Sequence, residues 1–218
     1  AVPGTSCTRF VLTGAGDMLS FPKREIVNFM IRHVKKMVPA YTLPGAVNFR
    51  DALSIGRSAG FRPVDVKSAD LAFLQYTGGT TGVAKGAELT HRNMIANVLQ
   101  VSTWISQRFH EGEETVLTAL PLYHVFSLTA TMVFTHWAAE MVLITNPRNL
   151  DSLAGECVKH DVSVIIGVNT LFAALLRNPV FKRAKLKRLK LTCGGGAQVQ
   201  KVVAEELSLI HISEPTRL

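Results

Sequence analysis

The amino-acid sequence lacks an apolar run long enough to cross a membrane as a helix. Such a helix needs about 18 or more consecutive residues that are predominantly apolar. The most apolar region, residues 117–144, is interrupted by Pro121, His124, His136 and Glu140. We therefore expect no transmembrane helix.

Cysteine is scarce, and an export signal is missing. Cys7, Cys157 and Cys193 are an odd number of thiols at wide spacings, which argues against a disulfide framework. Residues 1–4 bring no initiator methionine, and no basic region followed by an apolar one, so nothing there is typical of a secretory signal. We expect reduced thiols, a cytoplasmic location and a sequence that is a piece of a longer protein. Peripheral association with the inner face of the membrane stays open.

The composition is that of a globular protein. Hydrophobic residues make up 47% of the 218 residues and charged residues 18%, which excludes disorder as the main state and allows one sizeable core. The formal net charge of +8 is uneven, since it is +6 over residues 1–69, −2 over residues 70–150 and +4 over residues 151–218. The basic flanks favour an anionic partner, which can be a nucleotide, an acidic lipid headgroup or a nucleic acid.

The first 69 residues contain one segment with a clear pattern. Residues 24–38 carry apolar side chains at helical spacing and end before Pro39, so they predict a helix. We favour an ordinary amphipathic helix with a solvated face, and a membrane-surface helix is the alternative. Residues 40–67 are rich in glycine and proline and predict a connecting loop. The polar face of the predicted helix holds Arg32, His33, Lys35 and Lys36.

From residue 70 onward, short apolar runs alternate with segments of helical periodicity. This order favours an α/β fold, in which helices flank a largely parallel sheet. We divide the chain into a flank (1–69), an α/β subdomain (70–207) and a tail (208–218). The predicted strands are 71–76, which we expect to be buried, 115–120, 141–144, 162–166 and 189–192, and the predicted helices are 91–102, 125–138, 150–160, 170–176 and 199–207.

The most informative stretch, residues 76–87, reads Tyr-Thr-Gly-Gly-Thr-Thr-Gly-Val-Ala-Lys-Gly-Ala. Glycines let a backbone approach a ligand, while N–H groups and threonine hydroxyls donate to phosphate oxygens. A Walker A loop needs Gly before its lysine and Ser or Thr after it, whereas Lys85 lies between Ala84 and Gly86, so that loop is excluded. The stretch therefore predicts a polyphosphate site, and a purely structural hairpin is the less favoured alternative.

This stretch resembles the phosphate-binding loop of adenylate-forming enzymes, the superfamily of acyl-CoA synthetases, peptide-synthetase adenylation domains and luciferases. Its form is similar to that of bacterial long-chain fatty acyl-CoA synthetases. The resemblance extends over residues 8–207 and implies that the α/β subdomain is part of the N-terminal domain of such an enzyme. It continues in Leu-Thr-His-Arg-Asn-Met (89–94), Ala-Leu-Pro-Leu-Tyr-His-Val-Phe (119–126), Ile-Thr-Asn-Pro-Arg (144–148) and Gly-Val-Asn-Thr-Leu-Phe (167–172).

The resemblance implies a long-chain fatty acid–CoA ligase, which uses ATP with Mg²⁺ to make an acyl-adenylate and then transfers the acyl group to CoA. Fatty acid, ATP and CoA are the implied partners. Lys85 takes a catalytic role at the phosphates, and the Gly-Gly-Gly turn passes beside the adenine. The implied cofactor contacts are Thr77, Gly78, Gly79, Thr80, Thr81, Gly82, Lys85 and Gly86 at the phosphates and Gly194, Gly195 and Gly196 at the turn.

The resemblance also places His124 beside the acyl carboxylate, with a catalytic and substrate-binding role. The alternative for His124 is a core histidine with satisfied hydrogen bonds. Val168, Leu171 and Phe172 take the place of one wall of the acyl channel, although core packing explains their apolar character equally well. No histidine or cysteine spacing is typical of a metal site, so no metal ligand is assigned.

The densest basic run is Phe-Lys-Arg-Ala-Lys-Leu-Lys-Arg-Leu-Lys at residues 181–190. It could bind nucleic acid, yet no aromatic residues interleave with its cations and no nucleic-acid motif accompanies it. We favour a solvated loop that leads into a strand, and we expect no nucleic-acid partner.

Some motifs of the family are missing from the sequence. We find no Tyr-Gly-x-Thr-Glu motif, no following ribose-binding Asp and no catalytic Lys of a C-terminal domain. Residues 208–218 depart from the family pattern and resemble translated adaptor sequence, so we expect them to be non-native. We expect an internal fragment that is inactive alone. The alternatives are a fatty acyl-AMP ligase and a non-catalytic module that binds nucleotide or an anionic membrane.

Overall fold

The structure is a computed structural model, and it describes residues 6–77 and 85–210. The chain forms two compact units, residues 1–65 and residues 66–218. Among the described helices, none is both long enough and apolar enough to cross a membrane.

In the first unit, β1 (Val11–Leu12) pairs in parallel with β2 (Val47–Asn48). Helix α1 (Lys23–Phe29) continues as a π-helical turn (Met30–Val34), which confirms a helix in the predicted region. It stops before the predicted end, since Lys36 has a left-handed φ of 49°.

The predicted connecting loop at residues 40–67 is wrong, because it contains the eleven-residue helix α2 (Phe49–Ala59). Gly56 lies inside this helix and Gly60 ends it, and together with the prolines that flank the helix these glycines made the segment resemble a loop. The helix begins after the extended residue Asn48 and ends at Gly60, whose φ of 72° suits a glycine.

The second unit is built around a four-stranded parallel sheet, which confirms the predicted α/β fold. Its strands lie in the order β6 (Glu140–Leu143), β5 (Thr115–Thr118), β7 (Val164–Gly167) and β8 (Leu191–Gly194). The helices are α3 (His91–Ile105), α4 (Val125–His136), α5 (Leu150–Lys159), α6 (Asn169–Arg177), α7 (Pro179–Arg183) and α8 (Lys201–Ile210).

Helices cover both faces of this sheet. Val116 and Val164 point to one face, where they pack with α3 and α4. Leu117 and Ile165 point to the other face, where they pack with α5, α6, α7 and α8. Successive strand residues point to opposite faces of the sheet, so a strand that is apolar throughout is typical of a sheet that is covered on both faces. This double burial is why the β-branched residues of β7 have no solvent exposure.

Strands β3 (Leu71–Thr77) and β4 (Lys85–Thr90) form a separate antiparallel hairpin. Two expectations are corrected here. Strand β4 was not predicted, since its first two residues were assigned to the glycine- and threonine-rich loop, and the strand at 71–76 was predicted to be buried, whereas Leu71, Leu74 and Tyr76 are exposed. Apart from Gln75 the run is apolar or aromatic, which is typical of a central strand, but its only partner in the described structure is β4.

Helix α7 was also not predicted, because it falls partly within the basic run at 181–190. Asn178 caps this short helix by accepting hydrogen bonds from the N–H groups of Val180 and Phe181. Phe181 and Leu186 are buried, while most of the cations between them are exposed. The run is therefore a surface segment with apolar anchors.

A buried ion pair joins β5 to β8 at the edge where the strands begin. Glu114 is buried, and its Oε1 lies 2.5 Å from Nζ of Lys190. Burial raises the pKa of Glu114, but hydrogen bonds from Lys190, from Ser163 and from the N–H of His110 outweigh it and hold that pKa below its usual value. The pair ties together residues that are 76 positions apart in the chain.

We predict that Lys190→Met destabilises the second unit by about 3 kcal/mol at neutral pH, because it leaves a buried carboxylate without a partner. Urea denaturation measures this loss. In the unmodified chain the folded-state pKa of Glu114 lies below its unfolded value of about 4.5, so the ion pair contributes stability above that pH. This contribution, and with it the cost of Lys190→Met, should shrink as the pH falls below 4.5 through the lowered folded-state pKa.

Lys187→Met is the control, since Lys187 is exposed in the same segment. It should change the unfolding free energy by less than about 0.5 kcal/mol. Equal losses for the two variants, or a loss at Lys190 that does not depend on pH, would contradict the role given to the ion pair.

Candidate functional site

The hairpin brings together the two ends of the predicted phosphate loop. Thr77 ends β3, Lys85 begins β4, and these two residues are partners in the antiparallel register. The segment between them, which carries Gly78, Gly79, Thr80, Thr81 and Gly82, lies outside the described residues. Contacts of these five residues with phosphate therefore stay a prediction. Lys85 is exposed at the start of β4.

The hairpin leads directly into helix α3 through a capping box. The Thr90 hydroxyl accepts a hydrogen bond from the N–H of Asn93 at 3.2 Å, and the Asn93 side chain accepts one from the N–H of Thr90 at 3.0 Å. These bonds satisfy N–H groups that a helix start would leave unpaired. Thr90 directly precedes the helix predicted at 91–102, where a threonine is expected to act as the cap, and the structure confirms this cap.

His124 caps helix α4 just after β5. Its Nδ1 accepts a hydrogen bond from the N–H of Phe126 at 3.3 Å. This bond requires an unprotonated Nδ1, so in the neutral ring Nε2 carries the proton. The side chain is exposed, so it is not a core histidine. His124 therefore lies at the carboxyl edge of the sheet, and of its two ring nitrogens only Nδ1 has a hydrogen-bond partner among the described residues.

The glycine turn lies at the same edge, at the end of β8. A Cβ added at Gly195 would lie 2.5 Å from the ring of Phe126, and one at Gly194 would lie 2.2 Å from Cγ2 of Val199. Gly196 has a left-handed φ of 78°. Glycine is thus required at all three positions, at two by close packing and at the third by backbone conformation.

An apolar cavity of about 310 Å³ opens between α3, α4 and β8. Burial raises the pKa of the Cys193 thiol, which lines this cavity and stays neutral. We did not predict this cavity from the sequence, although Val101 and Trp104 are spaced to form a second apolar face on α3. The lining also includes Asn97, Ile105, Val125, Phe126, Thr129, Ala130, Val133, Phe134, Ile166, Leu191, Thr192 and Gly194.

The residues predicted to form an acyl wall do not line this cavity. Leu171 and Phe172 are buried in the core on the α5–α6 side of the sheet, and Val168 packs against that core. The ring of Phe172 would lie 3.0 Å from a Cβ at Gly167, so it supports the end of β7. Their role as substrate contacts stays a prediction.

The described part of the chain offers no cluster of three His, Cys, Asp or Glu side chains that could hold a metal ion. Cys7, Cys157 and Cys193 are all free thiols, as expected. Cys157 is buried, and this burial raises its pKa to about 12, so it packs as a small apolar residue.

Comparison with known proteins gives a consistent result. Residues 12–214 match the AMP-binding enzyme family. The chain is similar to the long-chain-fatty-acid–CoA ligase of Salmonella typhimurium, with 49% identity over 94% of this chain and 36% of that protein. The corresponding ligase of Haemophilus influenzae is 49% identical over 92% of this chain and 36% of its own length. The chain thus spans about a third of the length of these relatives.

Solved structures agree on the fold. A long-chain-fatty-acid-CoA ligase from Archaeoglobus fulgidus superimposes with a TM-score of 0.65 at 22% identity, covering 94% of this chain and 39% of that one. ATP-bound MatB from Rhodopseudomonas palustris gives a TM-score of 0.60 at 26% identity, covering 76% and 34%. Because the family match covers most of the sequence and the fold agrees with it, the chain belongs to the AMP-binding enzyme family.

Proposed function

We propose that this chain is the part of a long-chain fatty acid–CoA ligase that holds the phosphates of ATP and the carboxyl end of the fatty acid. The observation that carries the proposal is the pairing of Thr77 with Lys85, which closes a glycine- and threonine-rich segment between two strands. The ligase relatives, which align over nearly the whole chain, supply the substrate class.

The phosphate loop would act by position and charge. Backbone N–H groups and hydroxyls of residues 77–82 would donate to the β- and γ-phosphate oxygens, and Lys85 would add a positive charge. Negative charge grows on the leaving pyrophosphate as the fatty carboxylate attacks the α-phosphate. Donors fixed in place before that moment stabilise it without reorganising.

The acyl end of the reaction would lie at the carboxyl edge of the sheet. There His124 would orient the carboxylate through Nε2, because its Nδ1 is already engaged by Phe126. The apolar cavity, which Phe126 also lines, would take the chain of the fatty acid. Its volume of about 310 Å³ lies at the lower end of the range for small-molecule sites, about 300 to 1,000 Å³.

Use of Mg²⁺ and CoA is part of the same proposal. The hydroxyls and N–H groups of the loop suit phosphate oxygens, whereas the described residues provide no set of ligands for a cation of their own. Mg²⁺ would neutralise phosphate charge when bound with ATP. The relatives named as CoA ligases favour CoA over a carrier protein as acceptor. A cytoplasmic location remains a prediction.

The 218-residue chain should bind ATP but release no pyrophosphate when palmitate is added, because its sequence lacks the glutamate, aspartate and lysine motifs of the family. Calorimetric titration with ATP and a pyrophosphate assay measure the two properties. Lys85→Ala should weaken ATP binding about tenfold or more, since it removes a charge-assisted contact.

Thr81→Ala should also weaken ATP binding. The matched controls are Thr170→Ala and Lys187→Ala, which change exposed residues of the same types outside the loop. Binding that survives both loop variants unchanged would contradict the proposal and favour a non-catalytic module with its anion site elsewhere.

A chimera tests the complete activity. Residues 8–207 of this chain replace the matching segment of the Salmonella typhimurium relative. We expect the chimera to form palmitoyl-CoA from palmitate, ATP and CoA. The same chimera with Lys85→Ala should lose about a hundredfold in palmitate-dependent pyrophosphate release. A folded chimera that makes palmitoyl-AMP but never palmitoyl-CoA would favour an acyl-AMP ligase.

The cavity is tested in the same chimera with Ala130→Phe, which adds a ring to its lining. This variant should lower kcat/KM for palmitate about tenfold or more and affect a short-chain acid less, because the ring fills space needed by the longer chain. Thr135→Phe, at an exposed position of the same helix, is the control. Equal effects on both acids would contradict the assignment of the cavity.

A further inference from the structure

Helix α1 and the π-helical segment that follows it present an apolar stripe to solvent. The stripe residues that lie on the helix are spaced three or four apart, as on one helix face, and Met37 follows just after the helix ends. Phe29, Val34 and Met37 are 60%, 63% and 68% exposed. The outward stripe consists of Ile26, Phe29, Met30, Val34 and Met37, and His33 packs against Phe29 with ring centroids 4.9 Å apart.

Polar contacts on the opposite face fix this orientation. Asn28 faces inward, where its Oδ1 accepts a hydrogen bond from the N–H of Gly16 and its Nδ2 donates to Asp17, both at 2.8 Å. Side chains at Gly14 or Gly16 would collide with Asn28, since an added Cβ would lie 2.8 Å from its Oδ1. The helix therefore cannot roll its apolar stripe inward without breaking these bonds.

Cations border the outward stripe. Residues 23–37 contain five Lys or Arg and one acid, a net charge of +4. The acid, Glu25, is ion-paired with Arg24. The remaining cations, Lys23, Arg32, Lys35 and Lys36, are exposed.

We propose that the outward stripe and its bordering cations form a docking surface for an anionic lipid bilayer. An amphipathic helix that lies in a membrane interface buries an apolar face among the acyl chains and places Lys and Arg at the headgroups. Each cation near an anionic surface strengthens binding. The inference goes beyond the proposed ligase activity and does not require it.

Other occupants fit these observations less well. A second copy of the chain would bring a surface of the same positive charge against this one. A nucleic acid would pair with the cations but gain nothing from five exposed apolar side chains. Burial against further protein would cover Lys35 and Lys36 in an interior where charges need partners. A bilayer satisfies the apolar stripe and the cations together.

Co-sedimentation of the 218-residue chain with vesicles tests the proposal. We expect binding to phosphatidylcholine vesicles that contain about 30% phosphatidylglycerol, and about tenfold or more weaker binding to pure phosphatidylcholine. Raising NaCl from about 0.05 to about 0.5 M should weaken the binding, because salt screens charges at an exposed surface. Equal binding to both vesicle types that is insensitive to salt would overturn the role of the cations.

Two double variants separate the contributions. Phe29→Gln with Val34→Gln should lower binding to the anionic vesicles about tenfold or more, since it removes buried apolar area. Lys35→Gln with Lys36→Gln should lower it by a similar factor and leave the weak binding to neutral vesicles unchanged. The controls are Phe61→Gln, at a residue 91% exposed in the same unit, and Lys182→Gln with Lys187→Gln in the other basic segment.

Wild-type binding by the Phe29 and Val34 variant would overturn the proposal, and so would loss of binding in the control at Lys182 and Lys187. A chain that dimerises in gel filtration and ignores vesicles would assign the stripe to a second copy. Circular dichroism checks that each variant is folded. Independently of these variants, Phe29→Trp should shift its fluorescence to shorter wavelength on anionic vesicles, and no shift would contradict insertion.

Discussion

The parallel pairing of β5, β7 and β8 is the constraint on which the candidate site depends. Strands β5 and β7 are buried on both faces, so their residues cannot slip by one position without moving apolar side chains to the wrong layer. The carboxyl ends of parallel strands meet at one edge, and this places His124, which follows β5, near Gly195, which follows β8. Residues 71 positions apart thus share one surface because the register of the sheet is fixed.

Phe126 connects the parts of that edge. Its N–H donates to His124, its ring packs where a Cβ of Gly195 would be, and its side chain lines the apolar cavity. The position of the imidazole, the shape of the glycine turn and the width of the cavity are therefore coupled through one residue, by its backbone N–H at His124 and by its ring at the turn and the cavity. Any movement of the first turn of α4 would change all three together, so the acyl and nucleotide parts of the proposed site would respond as a unit.

The sequence predicted best where a local pattern and the tertiary environment agree. The β-branched run of β7 and the cap at Thr90 are such cases, since both depend on residues near in sequence. The prediction from sequence was wrong at α2, where glycines such as Gly56 favoured a loop over a helix. It was also wrong about the burial of β3, because an apolar run there predicted a buried strand. The cavity could not be predicted at all, because it needs Trp104, Ala130 and Cys193 to meet from three elements. The proximity of these three residues depends on how the elements pack together, and no single segment of the sequence determines that packing.

In the second unit, the ion pair that stabilises the sheet and the residues proposed to bind ligands lie at opposite edges of the sheet. The ion pair of Glu114 with Lys190 lies where β5 and β8 begin, at the amino edge of the sheet, whereas His124 and the glycine turn lie at the carboxyl edge. A buried carboxylate needs fixed partners, here Lys190 and the N–H of His110, and moving them to admit a ligand would leave its charge uncompensated. The carboxyl edge instead presents glycines, a half-engaged imidazole and an apolar cavity, groups that tolerate an empty site without leaving a charge buried. This division would let the sheet keep its register while the opposite edge exchanges the proposed ligands.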